Sequence, residues 1–288
     1  MPESDTSLLR RLIALRHVPA FATAELDELA TLADNATEIE LVAGEEIVAA
    51  GEPVPHMHLV LAGRIEMAGE PDAHAWGPYE VFGTLEVLSG RPARRAAVAM
   101  AATRTLRLSA VELADLLEDN LGILASTLRQ LARTVVAMPP HPPGPPAEVP
   151  TAPQLGLVER LILFRQQPLL AGGKLQALTM LAQVSAERTW PAGAVIAAAG
   201  SLTSEALFIL EGTVKDGDTG HAGRGATLGL VETIAATKHA TALVAATPVR
   251  ALTSSVDALF DVLEDHTSLG LTMLEGLAKR LLDDGARA

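Results

Sequence analysis

The sequence predicts a mainly β fold with flanking helices, built as two small jelly-roll domains in tandem. Three observations carry this: an internal repeat of about 130 residues, short apolar runs punctuated by glycines in each copy, and a proline-rich segment between the copies. RLIALRHVP from Arg11 aligns with RLILFRQQP from Arg160 at an offset of 149. The same offset pairs Leu26 with Leu175, Leu29 with Leu178, Gly44 with Gly193, Ile47 with Ile196, Gly51 with Gly200 and Gly63 with Gly212. After three deleted residues the offset becomes 146, and Gly83 pairs with Gly229. A unit this long is a duplicated domain, not a solenoid repeat. The expected division is 1–138, a linker at 139–155, and 156–288.

Each half reads helix, strands, helix. Residues 7–16 and 24–34 carry apolar positions at helical spacing, with Leu26, Leu29, Ala30 and Ala33 on one face. Thr23 is the expected cap of the second helix, with Glu25 in its first turn. From Thr37 the period changes to two, as Ile39 and Leu41 alternate with acids. Short apolar runs follow at 47–49, 57–61, 64–68, 96–101 and 105–108, separated by glycines. Ser109 with Glu112 three residues on forms a capping box and opens a C-terminal helical stretch. Along it Leu124, Leu128, Leu131, Val135 and Met138 are spaced 4, 3, 4, 3, the pattern of a short coiled-coil seam. Leu274, Leu277 and Leu281 offer a shorter version. The segment 139–153, PPHPPGPPAEVPTAP, has eight prolines in 15 residues, so it is expected to be an extended, exposed spacer with no strand pairing.

Composition narrows the functions. Residues 1–138 hold 11 Arg against 20 acids, a net of −9, and residues 156–288 hold 11 basic against 14 acidic residues, a net of −3. Such a field repels a phosphate backbone, and 8 aromatic residues are too few for a base-stacking surface, so nucleic-acid binding is not expected. There is no cysteine, hence no disulfide, thiolate nucleophile or thiolate metal site. The N-terminus MPESDTSLLRRLIALR lacks a signal-peptide layout, and no stretch reaches about 18 uncharged apolar residues, so no membrane insertion is expected and the location read from sequence is cytoplasmic.

LVAGEEIVAAGEPVPHMHLVLAGRIEM followed by VFGTLEVLSGRPARRAAVAM resembles the cyclic nucleotide-binding domain, the family of the catabolite activator protein and of kinase regulatory subunits. The second half, WPAGAVIAAAGSLTSEALFILEGTVKDG then TLGLVETIAATKHATALVA, is similar but more divergent. The resemblance implies a β-roll in each half, and a short helix and loop that cradle a cyclic phosphate. The family pattern is roughly Phe-Gly-Glu-x-Ala-Leu, then Pro-Arg-x-Ala. A helix N-terminus offers free N–H donors, an arginine adds charge-assisted bonds, and the glutamate accepts from the ribose 2′-OH.

The implied ligand site in the first half is Phe82, Gly83, Thr84, Leu85, Glu86, Arg94, Arg95 and Ala96, and in the second Gly229, Leu230, Glu232, Lys238 and His239. Phe82 and Gly83 fit, as do Leu228 and Gly229. Thr84 and Leu230 stand where the ribose glutamate is expected. Glu86 and Glu232 stand where a small residue lets the backbone approach the phosphate. Arg94 is the best phosphate arginine, Arg95 the alternative across a one-residue insertion, and His239 lies near that place in the second half. A carboxylate 4–6 Å from a phosphate costs on the order of 3–4 kcal/mol at an effective dielectric of 20. Otherwise Glu86 and Glu232 are solvated helix-face charges.

His56 and His58 share one face of a strand and resemble the metal motif of cupins, yet Ala62 and Gly63 stand where its glutamate is expected, and two partly exposed strand histidines are the simpler account. Gly223-Arg224-Gly225 reads as a hairpin turn, and no nucleophile or Walker motif is present. The expected function is non-enzymatic, without cofactor or metal. It is a regulatory or scaffolding protein that binds cyclic nucleotide weakly or not at all. It acts through a protein partner, or a homodimer along the helix Leu124–Met138. The alternatives are a cAMP or cGMP sensor working through the first half and, further off, a cupin-like metalloenzyme.

Overall fold

The computed structural model describes residues 3–22, 24–69, 75–139, 146–218 and 220–284. The chain forms two compact units, residues 1–127 with 274–288, and residues 128–273.

The first half opens with α1 (Glu3–His17), a 3-10 turn at Pro19–Phe21 and α2 (Leu26–Asn35). Eight strands follow: β1 (Thr37–Leu41), β2 (Glu46–Val48), β3 (His56–Ala62), β4 (Ile65–Met67), β5 (Ala75–Trp76), β6 (Val81–Phe82), β7 (Ala97–Ala99) and β8 (Thr103–Ser109). Between β6 and β7 lies α3 (Thr84–Ser89), and after β8 come α4 (Ala110–Asp119) and α5 (Leu121–Ala137). The strands make two antiparallel sheets, β1-β8-β3-β6 and β2-β7-β4-β5. Val48, Val54, Val60, Ile65, Phe82, Ala93 and Ala97 fill the space they enclose.

The second half repeats this with α6 (Leu157–Arg165), α7 (Leu175–Val184), β9 (Ala186–Trp190), β10 (Val195–Ala197), β11 (Glu205–Glu211), β12 (Val214–Asp216), β13 (Gly220–Ala222), β14 (Thr227–Leu228), α8 (Leu230–Ala235), β15 (Leu243–Ala245), β16 (Val249–Ser255), α9 (Val256–Asp265) and α10 (Thr267–Asp284). Its sheets, β9-β16-β11-β14 and β10-β15-β12-β13, have the same strand order, so both halves are β-rolls. Leu207, Ile209, Val214, Leu243, Ala245, Val249 and Ala251 form its core.

The shared glycines explain why both halves turn alike. Gly63 and Gly212 sit at φ of +89° and +85°. A Cβ there would come within 2.6 Å of the Ala102 carbonyl oxygen and 2.1 Å of the Pro248 carbonyl oxygen, so only glycine lets the chain reverse against its neighbour. The Ser109–Glu112 capping box is made in both directions, Glu112 N–H to Ser109 Oγ at 3.2 Å and Ser109 N–H to Glu112 Oε2 at 2.6 Å. For α2 the cap is Glu25, whose N–H donates to Glu28 at 2.8 Å, and Thr23 lies outside the described residues.

Two expectations change. Leu124, Leu128, Leu131 and Val135 are 0%, 0%, 7% and 3% exposed, and Leu274, Leu277 and Leu281 are buried too. Four of the five seam residues are thus covered within this chain and cannot face a second copy, while Met138 at its end is half-buried. The linker expectation falls partly on 140–145, outside the described residues. Residues 146–155 form no strand, yet they are strapped to the second unit. Gln166 bonds both the N–H and the carbonyl of Glu148, Arg224 donates to the Val149 carbonyl at 2.8 Å, and Arg250 donates to the carbonyls of Ala152 and Pro153 at 2.9 and 3.0 Å. Arg250 is fixed in turn by Glu187 and Glu211.

Candidate functional site

The two cassettes are built on left-handed glycines. Gly83, at φ +85°, turns the chain from β6 into α3, and a Cβ there would sit 3.0 Å from the His56 carbonyl oxygen and 3.1 Å from Val54 Cγ1. Gly229, at φ +77°, does the same before α8, against the Glu205 carbonyl oxygen. Phe82 is buried and packs edge-on against Trp76, 5.1 Å between ring centroids. Thr84 and Leu85 are half-buried at the start of α3.

Glu86 departs from expectation. It is not a solvated charge on a helix face: the residue is 9% exposed, the third of α3. Burial pushes its carboxyl up from the usual range, and a bond from its own backbone N–H pulls the other way. That N–H belongs to the helix N-terminus, whose donors a phosphate would require. Glu232, its counterpart in α8, is half-buried.

Arg94 is exposed and has no hydrogen-bond or ion-pair partner among the described residues, whereas Arg95 and Ala96 are half-buried. Arg91, just after α3, is paired with Asp283 in the same unit. The backbone corrects the reading of the second cassette. Ala93 N–H donates to the Glu52 carbonyl at 2.8 Å, and His239 N–H donates to the Ser201 carbonyl at 2.9 Å. The bridge Pro53–Pro92 likewise corresponds to Leu202–Lys238. His239 therefore occupies the place of Ala93 and Lys238 that of Pro92. Arg94 and Arg95 correspond to Ala240 and Thr241, so the second cassette has no cation at either arginine position.

The histidine pair also differs from expectation. His56 is half-buried, but His58 is 5% exposed, and its Nδ1 lies 3.2 Å from Thr105 Oγ1. Burial, then the charges of His56 and Arg107, lower the His58 pKa to about 4. No group of three His, Asp or Glu side chains able to hold a metal occurs among the described residues.

Residues 38–120 match the family model of the cyclic nucleotide-binding domain. Residues 38–120 are a cyclic nucleotide-binding domain. The second half shares its strand order and glycine-led cassette. No curated protein sequence matches the chain. Among solved structures, the regulatory subunit of a cAMP-independent protein kinase A from Trypanosoma brucei is 17% identical, covers 92% of this chain and 93% of its own, and gives a TM-score of 0.40. The Trypanosoma cruzi counterpart bound to guanosine is 14% identical, covers 99% and 95%, and gives 0.40. The N-terminal domain of a transcriptional regulator from Streptomyces coelicolor is 24% identical over 43% of this chain and 94% of its own, with a TM-score of 0.38. Among the described residues no helix is long and apolar enough to cross a membrane.

Proposed function

We propose that this chain is a non-enzymatic regulatory or scaffolding protein. Its duplicated halves, 1–138 and 156–288 joined by 139–155, bind cyclic nucleotide weakly or not at all and act through a protein partner. The observation that carries this is Glu86: a carboxylate buried at the third residue of α3, at the helix N-terminus whose N–H groups a phosphate would use. A bound phosphate has to displace that carboxylate or share the helix end with it, and like charges at 4–6 Å cost on the order of 3–4 kcal/mol. Thr84 and Leu230 remove the carboxylate acceptor for the ribose hydroxyl, worth about 1.5–3 kcal/mol. The second cassette adds no arginine to offset its Glu232.

The test is calorimetric titration of cAMP and cGMP into the full chain, beside adenosine and guanosine, which carry no phosphate. The expected result is no saturable cyclic-nucleotide binding below about 100 μM, and a gain on Glu86→Ala. Losing about 4 kcal/mol takes a micromolar site to roughly millimolar. Binding of cAMP tighter than about 10 μM, abolished by Arg94→Ala, would establish the alternative, a cyclic-nucleotide sensor working through the first half. Loss with Arg95→Ala instead would also establish a sensor, with the other arginine as the phosphate ligand.

A further inference from the structure

The two halves treat one strip of their surface differently. In the second half residues 146–155 lie along it as a strap that is neither helix nor strand, held open by Pro146, Pro150 and Pro153. The bonds that hold the strap go to its backbone. Gly225 accepts from the Ala147 N–H at 2.9 Å, and Gln166 bonds both the N–H and the carbonyl of Glu148. Further along, Arg250 donates to the carbonyls of Ala152 and Pro153, and Glu187 accepts from the Leu155 N–H at 2.6 Å. Gly225 has to be glycine here, because a Cβ would stand 2.2 Å from the Ala147 carbonyl oxygen. Contacts of this kind select an open, proline-containing backbone rather than particular side chains.

The first half keeps the frame without the strap. Glu38 and Arg104 stand where Glu187 and Arg250 do, and Arg11 bonds the carbonyls of Ala33 and Ala36 as Arg160 bonds those of Ala182 and Ser185. The strand register is the same: Ala62 opposite Arg104 repeats Glu211 opposite Arg250. Residues 3–6 are helical in α1, whereas their counterparts 152–155 belong to the strap. The Arg104 side chain is accordingly 40% exposed against 13% for Arg250, and it bonds no backbone carbonyl among the described residues. At the other end of the strip Tyr79 stands for Gly225 and His17 for Gln166. Tyr79 points its side chain to where the strap passes in the second half, at a φ of 72° that glycine takes more easily. Its ring stacks on His17, and both residues are open to solvent. Backbone strain kept for an exposed aromatic pair marks a contact surface.

We propose that this strip of the first half docks an extended, proline-containing segment of a partner protein, the counterpart in trans of the strap. A proline of the partner lies on the exposed face of the His17–Tyr79 stack, a carbonyl further along accepts from Arg104, and an N–H donates to Glu38. Proline suits the ring because it is already fixed in the extended form and loses little freedom on docking. This partner class belongs to the protein-partner role inferred above and rests on that reading. Neither cassette takes part in the site.

The experiment titrates a synthetic peptide of residues 146–155, PAEVPTAPQL, capped at both ends, into the full chain. Tyr79 is the single tyrosine, so its ring resonances report on the site alone. The expected result is a saturable shift of that ring with a Kd between about 0.1 and 1 mM. Arg104→Gln weakens binding about tenfold, through the lost charge-assisted bond. Tyr79→Gly, which copies the residue at the second-half position, weakens it at least as much by calorimetry. A tyrosine ring that does not respond overturns the proposal. So does an affinity unchanged by Arg104→Gln, a test that stands even if Tyr79→Gly fails to fold. Binding lost instead with Gln166→Ala places the peptide on the second half, in exchange with the strap, and overturns it too. The cyclic-nucleotide titrations decide the wider reading separately: a chain that binds neither this peptide nor cAMP loses the site and keeps that reading.

Discussion

Tyr79 and Gly225 hold the same left-handed turn position in the two halves, with φ of 72° and 83°. Each donates its N–H across the turn at 2.8 Å, to Val60 and Ile209 respectively. Glycine adopts this conformation freely, whereas a side chain there costs about 1–2 kcal/mol. Tyr79 recovers part of that by stacking on His17, with centroids 4.3 Å apart and planes 17° from parallel. His17 is itself anchored by its Nδ1–H on the Ile13 carbonyl at 2.7 Å.

The stack is worth about 0.5–1.5 kcal/mol, close to the strain. Tyr79→Gly is therefore expected to leave stability within about 1 kcal/mol of the parent. Tyr79→Ala keeps the strain and loses the stack, and should be the least stable of the three by about 1 kcal/mol. Urea unfolding orders them. An alanine variant more stable than the tyrosine parent would show that the ring contributes nothing.

A second mismatch between the halves points the other way. Gly90 ends α3 at φ +65°, while Ala236 ends α8 at φ +52°. Ala236→Gly should stabilise by up to about 1 kcal/mol, and Gly90→Ala, whose Cβ would meet nothing within 4 Å, should lose a similar amount. Thermal unfolding of the two single variants checks both signs.

Much of this fold was legible in the sequence, and what was missed was missed for physical reasons. The period-two run from Thr37 fell on β1, the short apolar runs fell on β2, β3, β4, β7 and β8, and the Ser109–Glu112 signal was a real cap, because all are local patterns. β5, β6 and α3 are too short to show a period. The cassettes were found only through the family resemblance. The burial of Glu86 and the covered seam on α5 depend on what packs against them, which no local pattern records.

The buried seam predicts what its disruption does. Leu128 is 0% exposed and Leu131 7%. A glutamate at Leu128 would place a charge in an apolar interior, a cost of several kcal/mol. Leu128→Glu with Leu131→Glu is expected to unfold the chain, read by circular dichroism and a lost thermal transition. Folded monomers released from a larger assembly, seen by light scattering, would instead restore the helix as a homodimer interface.

His58 gives stability a rising limb with pH. Its folded pKa of about 4 lies below the ordinary 6.5, so the folded state disfavours the proton. The contribution is fully present above pH 6.5 and is lost as pH falls through the interval to about 4, roughly 3 kcal/mol in all. In the second half the corresponding pair is Leu207 and Ala251, which cannot titrate. The double variant His58→Leu with Thr105→Ala copies that apolar pair and avoids an orphaned hydroxyl. Urea midpoints from pH 4 to 6.5 should show a clearly shallower slope in this variant; an unchanged slope would mean that other groups, His56 among them, carry it.

Glu86 acts with the opposite sign. Its folded pKa is raised above 4.5 by burial, so the folded state prefers the neutral acid. The contribution is present below pH 4.5 and is lost as pH rises through the folded value; from there upward the buried charge is a constant cost. Glu86→Gln removes the charge and keeps the shape. It should be more stable than the parent at pH 7 and equal to it at pH 4, where the parent is itself becoming neutral. The same variant bears on ligand binding: with the carboxylate gone from the α3 N-terminus, repulsion of a cyclic phosphate falls. A parent that matches Glu86→Gln in stability at pH 7 would mean that the carboxylate is well solvated or well paired, and the obstacle to phosphate would then have to lie with Thr84 and the unengaged Arg94.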